Sequence, residues 1–277
     1  MKEQLLDVVV VGGGPAGATA AHGLAQLGHQ VALLDKAGRI KPCGGAIPPR
    51  LMRDFDIPDE LLCARINSAR MVSPSARYVD MPIDAGFVGM VNREVFDEFL
   101  RTRAAAVGAT RVTGTYERIE RDDGEGVDVH YKTKQGERRV LRAKMVIGAV
   151  GGLSLVARQE VHETRPPYVF AYHEIIRAPE GGFDGTRCDV IYDGATSPDF
   201  YGWVFPHGRT VSVGTGSAIK GFKIRRSVAE LRQKNGLHHT QTIRQEGAPI
   251  PMKPLKRWDN GRDVLLAGDA AGVVAPS

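Results

Sequence analysis

The sequence has few cysteines, no long apolar run and no dense block of positive charge. Its three cysteines, Cys43, Cys63 and Cys188, are odd in number and far apart, which argues against a disulfide framework and a zinc-ligand spacing. A reducing compartment is therefore favoured. No apolar stretch approaches the ~20 residues that a membrane-spanning helix needs. The first strand is predicted within six residues of the N-terminus, leaving no room for a signal peptide, so we expect a cytoplasmic protein with at most peripheral membrane contact.

Composition and charge are those of an ordinary globular protein. Of the 277 residues, 42% are hydrophobic and 25% are charged, and this length predicts about two domains. The net charge of +5 is mild, and no dense block of lysine and arginine interleaves with aromatic residues. A solvated surface with a basic bias is therefore favoured over a nucleic-acid-binding one. This charge is also compatible with a basic face that contacts anionic lipid or a phosphate-bearing ligand.

The N-terminal segment has the pattern of a βαβ nucleotide-binding unit. The β-branched run LLDVVVV at 5–11 predicts a strand that is covered on both faces. The glycine-rich GGGPAG follows at 12–17, and apolar residues recur at helical spacing from 16 to 27. A second strand at 31–34 then ends in Asp35. Strand, glycines, helix, second strand and acid are in register for a dinucleotide.

Each glycine of the fingerprint has a mechanical reason. Gly12 permits the tight turn out of the strand, Gly14 lets the backbone approach a pyrophosphate, and Gly17 lets helix and strand pack closely. The helix N-terminus adds unpaired N–H groups and a partial positive charge. The Asp35 carboxylate accepts hydrogen bonds from a ribose 2′-hydroxyl and repels a 2′-phosphate, which excludes NADP here and leaves NAD or FAD. The predicted dinucleotide contacts in this unit are Gly12, Gly14, Pro15, Ala16, Gly17, Asp35 and Lys36.

Later segments distinguish FAD from NAD by resemblance. The loop KPCGGAI lies at 41–47, and Arg93 opens a predicted helix that is apolar at Val95, Phe96, Phe99 and Leu100. A short apolar strand at 264–267 precedes GDAAG. This order resembles the large group of FAD-dependent hydroxylases and reductases. The resemblance implies that Asp269 binds the ribityl chain, that Gly272 belongs to the same loop, and that Arg93 lies along the flavin's linker.

The segment AVGGLSLVAR departs from that group. Relatives carry an acid where this chain has Val150, and an arginine where it has Leu155. Gly151 and Gly152 still allow the turn, and Gly151 is a predicted flavin contact. The loss of the acid removes a hydrogen-bonding anchor, so we expect weaker FAD binding and altered use of a pyridine nucleotide.

The middle of the chain, from about 165 to 256, changes to period-two alternation, which predicts an antiparallel sheet. Within it, YGWVFPHG places Tyr201, Trp203 and Phe205 on one face of a strand that Pro206 is predicted to end. From periodicity alone, two readings stay open: the three rings fill a sheet core, or they form an apolar wall for a long hydrocarbon.

These segments together resemble the geranylgeranyl reductases, and the (bacterio)chlorophyll branch in particular. The resemblance rests on KPCGG, SPDFYGWVFPHG, VSVGTGSA and the final GAPIPMKPLKRWDNGRDVLLAGDAAGVVAPS. It implies an α/β fold: a Rossmann-type FAD-binding domain with an inserted antiparallel β-sheet substrate domain, as in aromatic hydroxylases. It places Cys43, Gly44 and Gly45 near the isoalloxazine. The residues that it assigns to an isoprenoid channel are Tyr201, Trp203, Phe205 and Pro206.

The implied reaction is hydride delivery from reduced flavin to an alkene of a geranylgeranyl chain. NADPH is the electron donor that the resemblance implies. The chain shows no second GxGxxG, and the resemblance implies that the nicotinamide docks transiently without a dedicated motif. The proton donor is not evident: Cys43 is a conceivable one, weighed against a purely structural loop thiol. His207, His238 and His239 are predicted to be surface or loop residues rather than catalytic ones.

The predicted FAD-binding domain comprises 1–70, 93–164 and 257–277, and the predicted substrate domain comprises 71–92 and 165–256. The resemblance also implies a continuation beyond Ser277, so we expect a partial protein with weak FAD binding and little activity. Expected partners are a prenylated pigment or a prenyl diphosphate, with peripheral contact at the photosynthetic membrane. Two alternatives stay open: an aromatic monooxygenase of the same fold, and an inactive flavin-fold fragment.

Overall fold

The computed structural model describes residues 5–37, 40–84, 86–161 and 166–274. The helices are α1 (Pro15–Gln26), α2 (Pro49–Asp54), α3 (Arg93–Ala106) and α4 (Ile224–Lys234). The strands are β1 (Leu6–Val11), β2 (Val31–Asp35), β3 (Ala46–Ile47), β4 (Leu62–Ile66), β5 (Ser68–Val72), β6 (Tyr78–Pro82), β7 (Val88–Val91), β8 (Thr110–Thr113), β9 (Thr115–Glu120), β10 (Val127–Lys132), β11 (Arg138–Gly148), β12 (Tyr168–Arg177), β13 (Arg187–Ile191), β14 (Gly202–His207), β15 (Thr210–Ser217), β16 (Thr242–Pro251) and β17 (Val264–Leu266). Across these described residues, no helix has the length and apolar character needed to cross a bilayer.

The chain forms two compact units. The first comprises Met1–Ile40, Asp97–Tyr168 and Ile250–Ser277, and the second comprises Lys41–Phe96 and Val169–Pro249. Residues 41–70, which the sequence analysis assigned to the FAD-binding domain, cluster with the second unit. The reason is pairing that the sequence does not reveal, since β3 and β4 pair with β7 and β5 pairs with β13. The assignment of substrate binding to the second unit stays a prediction.

The first unit is built on a seven-stranded sheet. Its order is β8-β2-β1-β11-β10-β9, with β17 against β11. Strand β1 is parallel to both β2 and β11, while β9, β10 and β11 form an antiparallel meander. The apolar run of β1 is buried from Val8 to Val11, as a strand between two parallel neighbours requires. The predicted βαβ unit is therefore confirmed.

The second unit contains a seven-stranded and a three-stranded sheet. The larger sheet has the order β16-β12-β15-β14-β13-β5-β6, and the smaller has the order β3-β7-β4. The predicted antiparallel pattern is confirmed for β12, β13, β14 and β15, whereas β13 and β5 are parallel. Helix α4 packs its apolar side on one face of the larger sheet, where Val228 and Leu231 join a buried cluster with Val204 and Val213.

A buried ion pair joins α4 to β12 of the larger sheet. The Arg232 Nη1 atom is 2.5 Å from the Glu174 Oε2 atom, and both side chains are only 10% exposed. The other guanidinium nitrogens of Arg232 donate to the carbonyl oxygens of Leu237 and Thr240. The Tyr172 hydroxyl donates to Glu174 Oε1 at 3.0 Å. Charges and backbone groups at the end of α4 are thus paired rather than hydrated.

Two local predictions are wrong. Pro206 does not end its strand, because β14 continues to His207 and Pro206 pairs with Val211. Strand β13 pairs with β14 only as far as Val204, so no neighbour on that side requires an N–H from residue 206. In α3, Phe96 and Leu100 are buried as predicted, but Val95 is 54% exposed.

Candidate active site

In the glycine-rich turn between β1 and α1, contacts within the protein require glycine at two of the three fingerprint positions. Gly12 has a φ of 110°, and a methyl group placed on it would lie 2.4 Å from the Ala149 carbonyl oxygen. A methyl group on Gly17 would lie 1.9 Å from the Gly12 carbonyl oxygen. The main chain of this turn therefore has no room for a side chain at either position.

Gly14 differs from its two neighbours in the fingerprint. Its backbone is extended, with φ −74° and ψ −178°, and a methyl group there would meet no atom of the described residues within 4 Å. The protein alone does not require glycine at this position. Residue 14 caps the N-terminus of the 12-residue α1, which begins with Pro15 and has no side-chain cap. Open space beside free helix N–H groups fits a pyrophosphate.

Asp35 lies at the carboxyl end of β2 and closes the turn. Its Oδ2 atom accepts a hydrogen bond from the Gly13 N–H, and its Oδ1 atom accepts one from the Ala37 N–H, both at 2.9 Å. The carboxylate stays part-exposed. Because each oxygen has a second lone pair, the group can still accept ribose hydroxyls. Lys36, also a predicted contact, is exposed.

Arg101 is a residue of this site that the sequence analysis missed. Its Nη1 atom donates to the Gly13 carbonyl oxygen at 3.0 Å and lies 3.9 Å from Asp35 Oδ1. Its other partner is Glu98, at 3.1 Å. The only signal in the sequence is an arginine in the helix that Arg93 opens, and helical spacing does not say which turn reaches the glycine-rich loop. Arg93 itself is part-buried at the first position of α3, and its flavin role stays a prediction.

Replacing Asp35 with asparagine is expected to weaken FAD binding about tenfold. The amide would direct an N–H group at one of the two backbone donors and would lose one ribose acceptor. Fluorescence titration of the apoprotein with FAD measures the effect. Asp54→Asn, which removes an exposed carboxylate paired with Arg50, is the matched control. An affinity of the Asp35 variant within twofold of the control would contradict this role.

Two further loops reach the same edge of the first unit's sheet. Strands β1, β2, β11 and β17 are parallel, so their carboxyl ends meet there. After β11, the Ala149 carbonyl touches the Gly12 turn, and Gly151 follows with a φ of 87°. After β17, Gly268 approaches α1 so closely that a methyl group would lie 2.7 Å from Ala16 Cβ. The structure thus gathers the predicted segments at 12–17, 35, 151 and 268–272.

The Asp269 loop is a 3-10 turn. It spans Gly268–Ala271 and ends at Gly272, which has a left-handed φ of 72°. The Asp269 side chain is part-buried, and its backbone carbonyl accepts the Gly272 N–H at 3.1 Å. The departures at 150 and 155 have different environments: Val150 is 36% exposed, whereas Leu155 packs against the core of the unit. Leu155 therefore contributes apolar contacts where an arginine would carry charge.

In the second unit, the loop at 43–45 packs against β14. A methyl group on Gly44 would lie 3.3 Å from Phe205 Cε2, and one on Gly45 would lie 2.5 Å from His207 Nε2. Gly45 also has a φ of 75°. The Cys43 thiol is exposed, and its sulfur accepts the Gly45 N–H at 3.4 Å. Two segments that are far apart in sequence, both predicted as functional, are therefore neighbours.

The rings of Tyr201, Trp203 and Phe205 form a continuous line, here called the aromatic row. Their centroids are 6.1 Å and 6.2 Å apart. Trp203 is buried, and the outer two rings are half-buried. Phe200 stacks on Tyr201 at 4.2 Å. Burial raises the pKa of Tyr201 to about 12, so the phenol stays neutral and the row carries no charge. The predicted alternation is present; the substrate role of these residues stays a prediction.

His207 is not a surface or loop residue, and this prediction is wrong. It is the last residue of β14 and is 7% exposed. Its Nδ1 atom lies 3.1 Å from the Phe205 carbonyl oxygen and donates to it. The error follows from ending the strand at Pro206. His238 and His239 are exposed, as predicted.

Burial gives His207 a specific pH dependence. Desolvation lowers the pKa of His207 below its ordinary 6.5, and nearby His173 and Arg244 add to this, while the bonds to backbone carbonyls oppose it. The unfolded chain therefore binds this proton more readily, so the free energy of unfolding should fall as pH drops below about 6.5. Urea denaturation between about pH 7.5 and 5.5 measures this slope, which His207→Gln should flatten. An unchanged slope in that variant would contradict the assignment; His239→Gln, at an exposed histidine, is the control.

A glycine-rich turn, an acid after the second strand and a late Gly-Asp turn at one edge of a parallel sheet define an α/β dinucleotide-binding flavoprotein. A family model described as pyridine nucleotide-disulphide oxidoreductase matches residues 6–155. The chain is 61% identical over 273 residues to the geranylgeranyl diphosphate reductase of Rhodobacter capsulatus, covering 98% of this chain and 70% of that protein. It therefore belongs to the geranylgeranyl reductase family of flavin-dependent oxidoreductases.

Solved structures agree on the fold. A geranylgeranyl bacteriochlorophyll reductase-like protein from Thermoplasma acidophilum has a TM-score of 0.86 at 24% identity, covering 99% of this chain and 73% of that one. Aklavinone-11 hydroxylase, solved with FAD and aklavinone, has a TM-score of 0.75 at 21% identity, covering 98% and 58%. The predicted aromatic-hydroxylase-like fold is confirmed. The chain spans 61% to 70% of the length of curated geranylgeranyl diphosphate reductases that it matches.

Proposed function

We propose that this protein uses FAD to saturate double bonds of a geranylgeranyl chain. The geranylgeranyl group would be attached to a (bacterio)chlorophyll pigment or to a free diphosphate, and the product would carry the phytyl group. The observation that carries this proposal is the packing of Gly44 on Phe205, which sets the loop assigned to the flavin against the aromatic row. The similar protein of Rhodobacter capsulatus is named for geranylgeranyl diphosphate.

The described residues would divide the work between binding and positioning. The turn at 12–17, with Asp35 and Arg101, would hold the dinucleotide part of FAD. Asp269 and Gly151 would border its flavin end, with Arg93 along the linker. The bound flavin supplies hydride; the protein's task is to hold the alkene in place and to exclude water. The aromatic row suits the second task, since its ring faces are apolar and its one phenol stays neutral.

Electron supply and proton supply are separate parts of the proposal. NADPH would dock transiently and reduce the flavin, as in the family that the chain resembles. Cys43 is the proposed proton donor, because its thiol is exposed beside Gly44 and close enough to Tyr201 to affect that phenol's pKa. A prenylated pigment would reach the protein through peripheral contact with the photosynthetic membrane.

Anaerobic turnover tests the function. The chain, loaded with FAD, is incubated with NADPH or photoreduced flavin and with either geranylgeranylated pigment or geranylgeranyl diphosphate. Mass analysis of the tail should show a gain of one hydrogen molecule per reduced double bond. Because we expect weak FAD binding and little activity, the assay uses excess FAD and protein in amounts equal to the substrate. A flavin-loaded protein that adds hydrogen to neither substrate under these single-turnover conditions would contradict the proposal. Oxygen consumption coupled to a hydroxylated product would support a monooxygenase instead, and failure to retain any flavin would support an inactive fragment.

A further inference from the structure

A second feature of the aromatic row is how Trp203 is held. The row lies on the face of the larger sheet opposite α4. Trp203, Gly214 and His173 stand side by side on β14, β15 and β12 in direct register. A methyl group on Gly214 would lie 2.3 Å from Trp203 Cζ2 and 2.5 Å from His173 Cβ. The indole therefore lies across β15 in the space that a missing side chain leaves, and its edge points toward β12.

A line of buried hydrogen bonds runs from the indole across the sheet. Trp203 Nε1 lies 3.0 Å from Ser212 Oγ, which lies 2.9 Å from His173 Nδ1. His173 Nε2 lies 3.1 Å from Glu246 Oε2, and Glu246 is ion-paired with Arg244. Ser212 is fully buried, and the His173 side chain is 4% exposed. We call Ser212, His173 and Glu246 the polar chain.

The hydrogen-bonding capacity of each side chain decides which atom donates in each bond of the polar chain. Burial raises the pKa of Glu246, but the His173 and Arg244 partners outweigh it and hold the pKa below its ordinary value, so Glu246 is a carboxylate. A carboxylate only accepts, so His173 must carry its hydrogen on Nε2. With Nδ1 then accepting from the Ser212 hydroxyl, the serine oxygen accepts from the indole N–H, which can only donate. With a neutral imidazole, every group in the line is satisfied in this one arrangement, whereas an imidazolium would donate from both nitrogens and leave the Ser212 hydroxyl without His173 as its acceptor.

We propose that Ser212, His173 and Glu246 are positioning residues, which fix the orientation of the Trp203 ring and so set the surface that the aromatic row presents to an apolar chain. An indole in an apolar slot has two orientations of similar shape, related by a half-turn about its ring bond. Only one of them puts Nε1 next to Ser212. Apolar packing alone would fill the slot without choosing between them, whereas a buried N–H without a partner disfavours the second. The substrate half of this inference rests on the proposed function.

Nuclear magnetic resonance of the Trp258→Phe protein tests the orientation directly. Trp258 is the only other tryptophan, is 46% exposed and donates to the Leu255 carbonyl, so its removal leaves one indole N–H signal. Ser212→Ala should move that signal upfield and speed its hydrogen exchange. Glu246→Gln, three links away, should move it by a smaller amount. Glu230→Gln removes an exposed partner of Arg226 on α4 and should leave it unchanged.

Two results would overturn the polar chain. One is a Glu246→Gln protein whose Trp203 signal matches that of Glu230→Gln. The other is a nitrogen chemical shift that places the His173 hydrogen on Nδ1. The second measurement keeps all residues of the polar chain, so it decides the matter even where a variant fails to fold.

A binding experiment distinguishes failure of this inference from failure of the proposed function. Quenching of Trp203 emission in the same Trp258→Phe protein reports binding of geranylgeranyl diphosphate. Glu246→Gln should weaken binding about three- to tenfold and leave FAD affinity unchanged. Equal binding by the variant and the parent would overturn the positioning role. If the parent responds neither to the diphosphate nor to geranylgeranylated pigment, the proposed function fails, while the resonance results still decide the polar chain.

Discussion

Replacing Gly14 with alanine is expected to leave the protein folded and to weaken FAD binding about a hundredfold. Among the residues that the structure describes, the new methyl group would meet no atom within 4 Å, and the backbone at residue 14 is one that alanine adopts freely. The methyl group would instead occupy the space in which a pyrophosphate approaches the N-terminus of α1. Overpacking of this kind costs about 1–3 kcal/mol, and the upper end corresponds to the hundredfold loss. Flavin absorbance after reconstitution and titration with FAD measure it.

Gly17→Ala is the matched comparison. Its methyl group would lie 1.9 Å from the Gly12 carbonyl oxygen, so this change should lower the free energy of unfolding of the protein even without FAD. Urea denaturation of the two apoproteins separates the cases. If Gly14→Ala destabilises the apoprotein as much as Gly17→Ala does, or binds FAD normally, then the open space beside Gly14 is not the cofactor's place.

The sequence predicts the βαβ unit well because its signals are local. The strand predicted at 5–11 is Leu6–Val11, and the second strand ends at Asp35 as expected. Each depends on residues that are adjacent in the chain: a β-branched run, a glycine turn and a helical apolar spacing. The loops at 151 and 268 are predictable for a related reason, since parallel strands bring their carboxyl ends to one edge of a sheet.

The errors concern pairing between distant segments. Residues 41–70 look like a continuation of the nucleotide domain until β5 is seen beside β13. Pro206 looks like a strand end because proline has no N–H to donate to a neighbouring strand. The pairing of β13 with β14 stops at Val204, so β13 does not need that N–H. The His173 and Ser212 contact joins β12 and β15, and neither residue is in a motif. Arg101 is missed for the same reason, because its partner Gly13 is 88 positions away.

Replacing Arg232 with methionine is expected to cost about 3–5 kcal/mol of stability. The change leaves the Glu174 carboxylate buried without its cation and removes donors from the carbonyls of Leu237 and Thr240. Urea denaturation followed by circular dichroism measures the loss. Arg226→Met on the same helix is the control: the Arg226 side chain is 74% exposed and pairs with Glu230, so its loss should barely change the midpoint.

A double variant shows where that cost arises. If an uncompensated buried charge is the main cause, then replacing Glu174 with leucine in the Arg232→Met protein should restore most of the stability, because an apolar pair needs no desolvation. The recovery should stay incomplete, since the carbonyls of Leu237 and Thr240 still lack their donors. A double variant no more stable than Arg232→Met would assign the cost to polar groups left without partners instead, namely these carbonyls and the Tyr172 hydroxyl that donates to Glu174. The difference in stability between the parent and Arg232→Met should also change little with salt, because a buried pair is screened less than a surface pair.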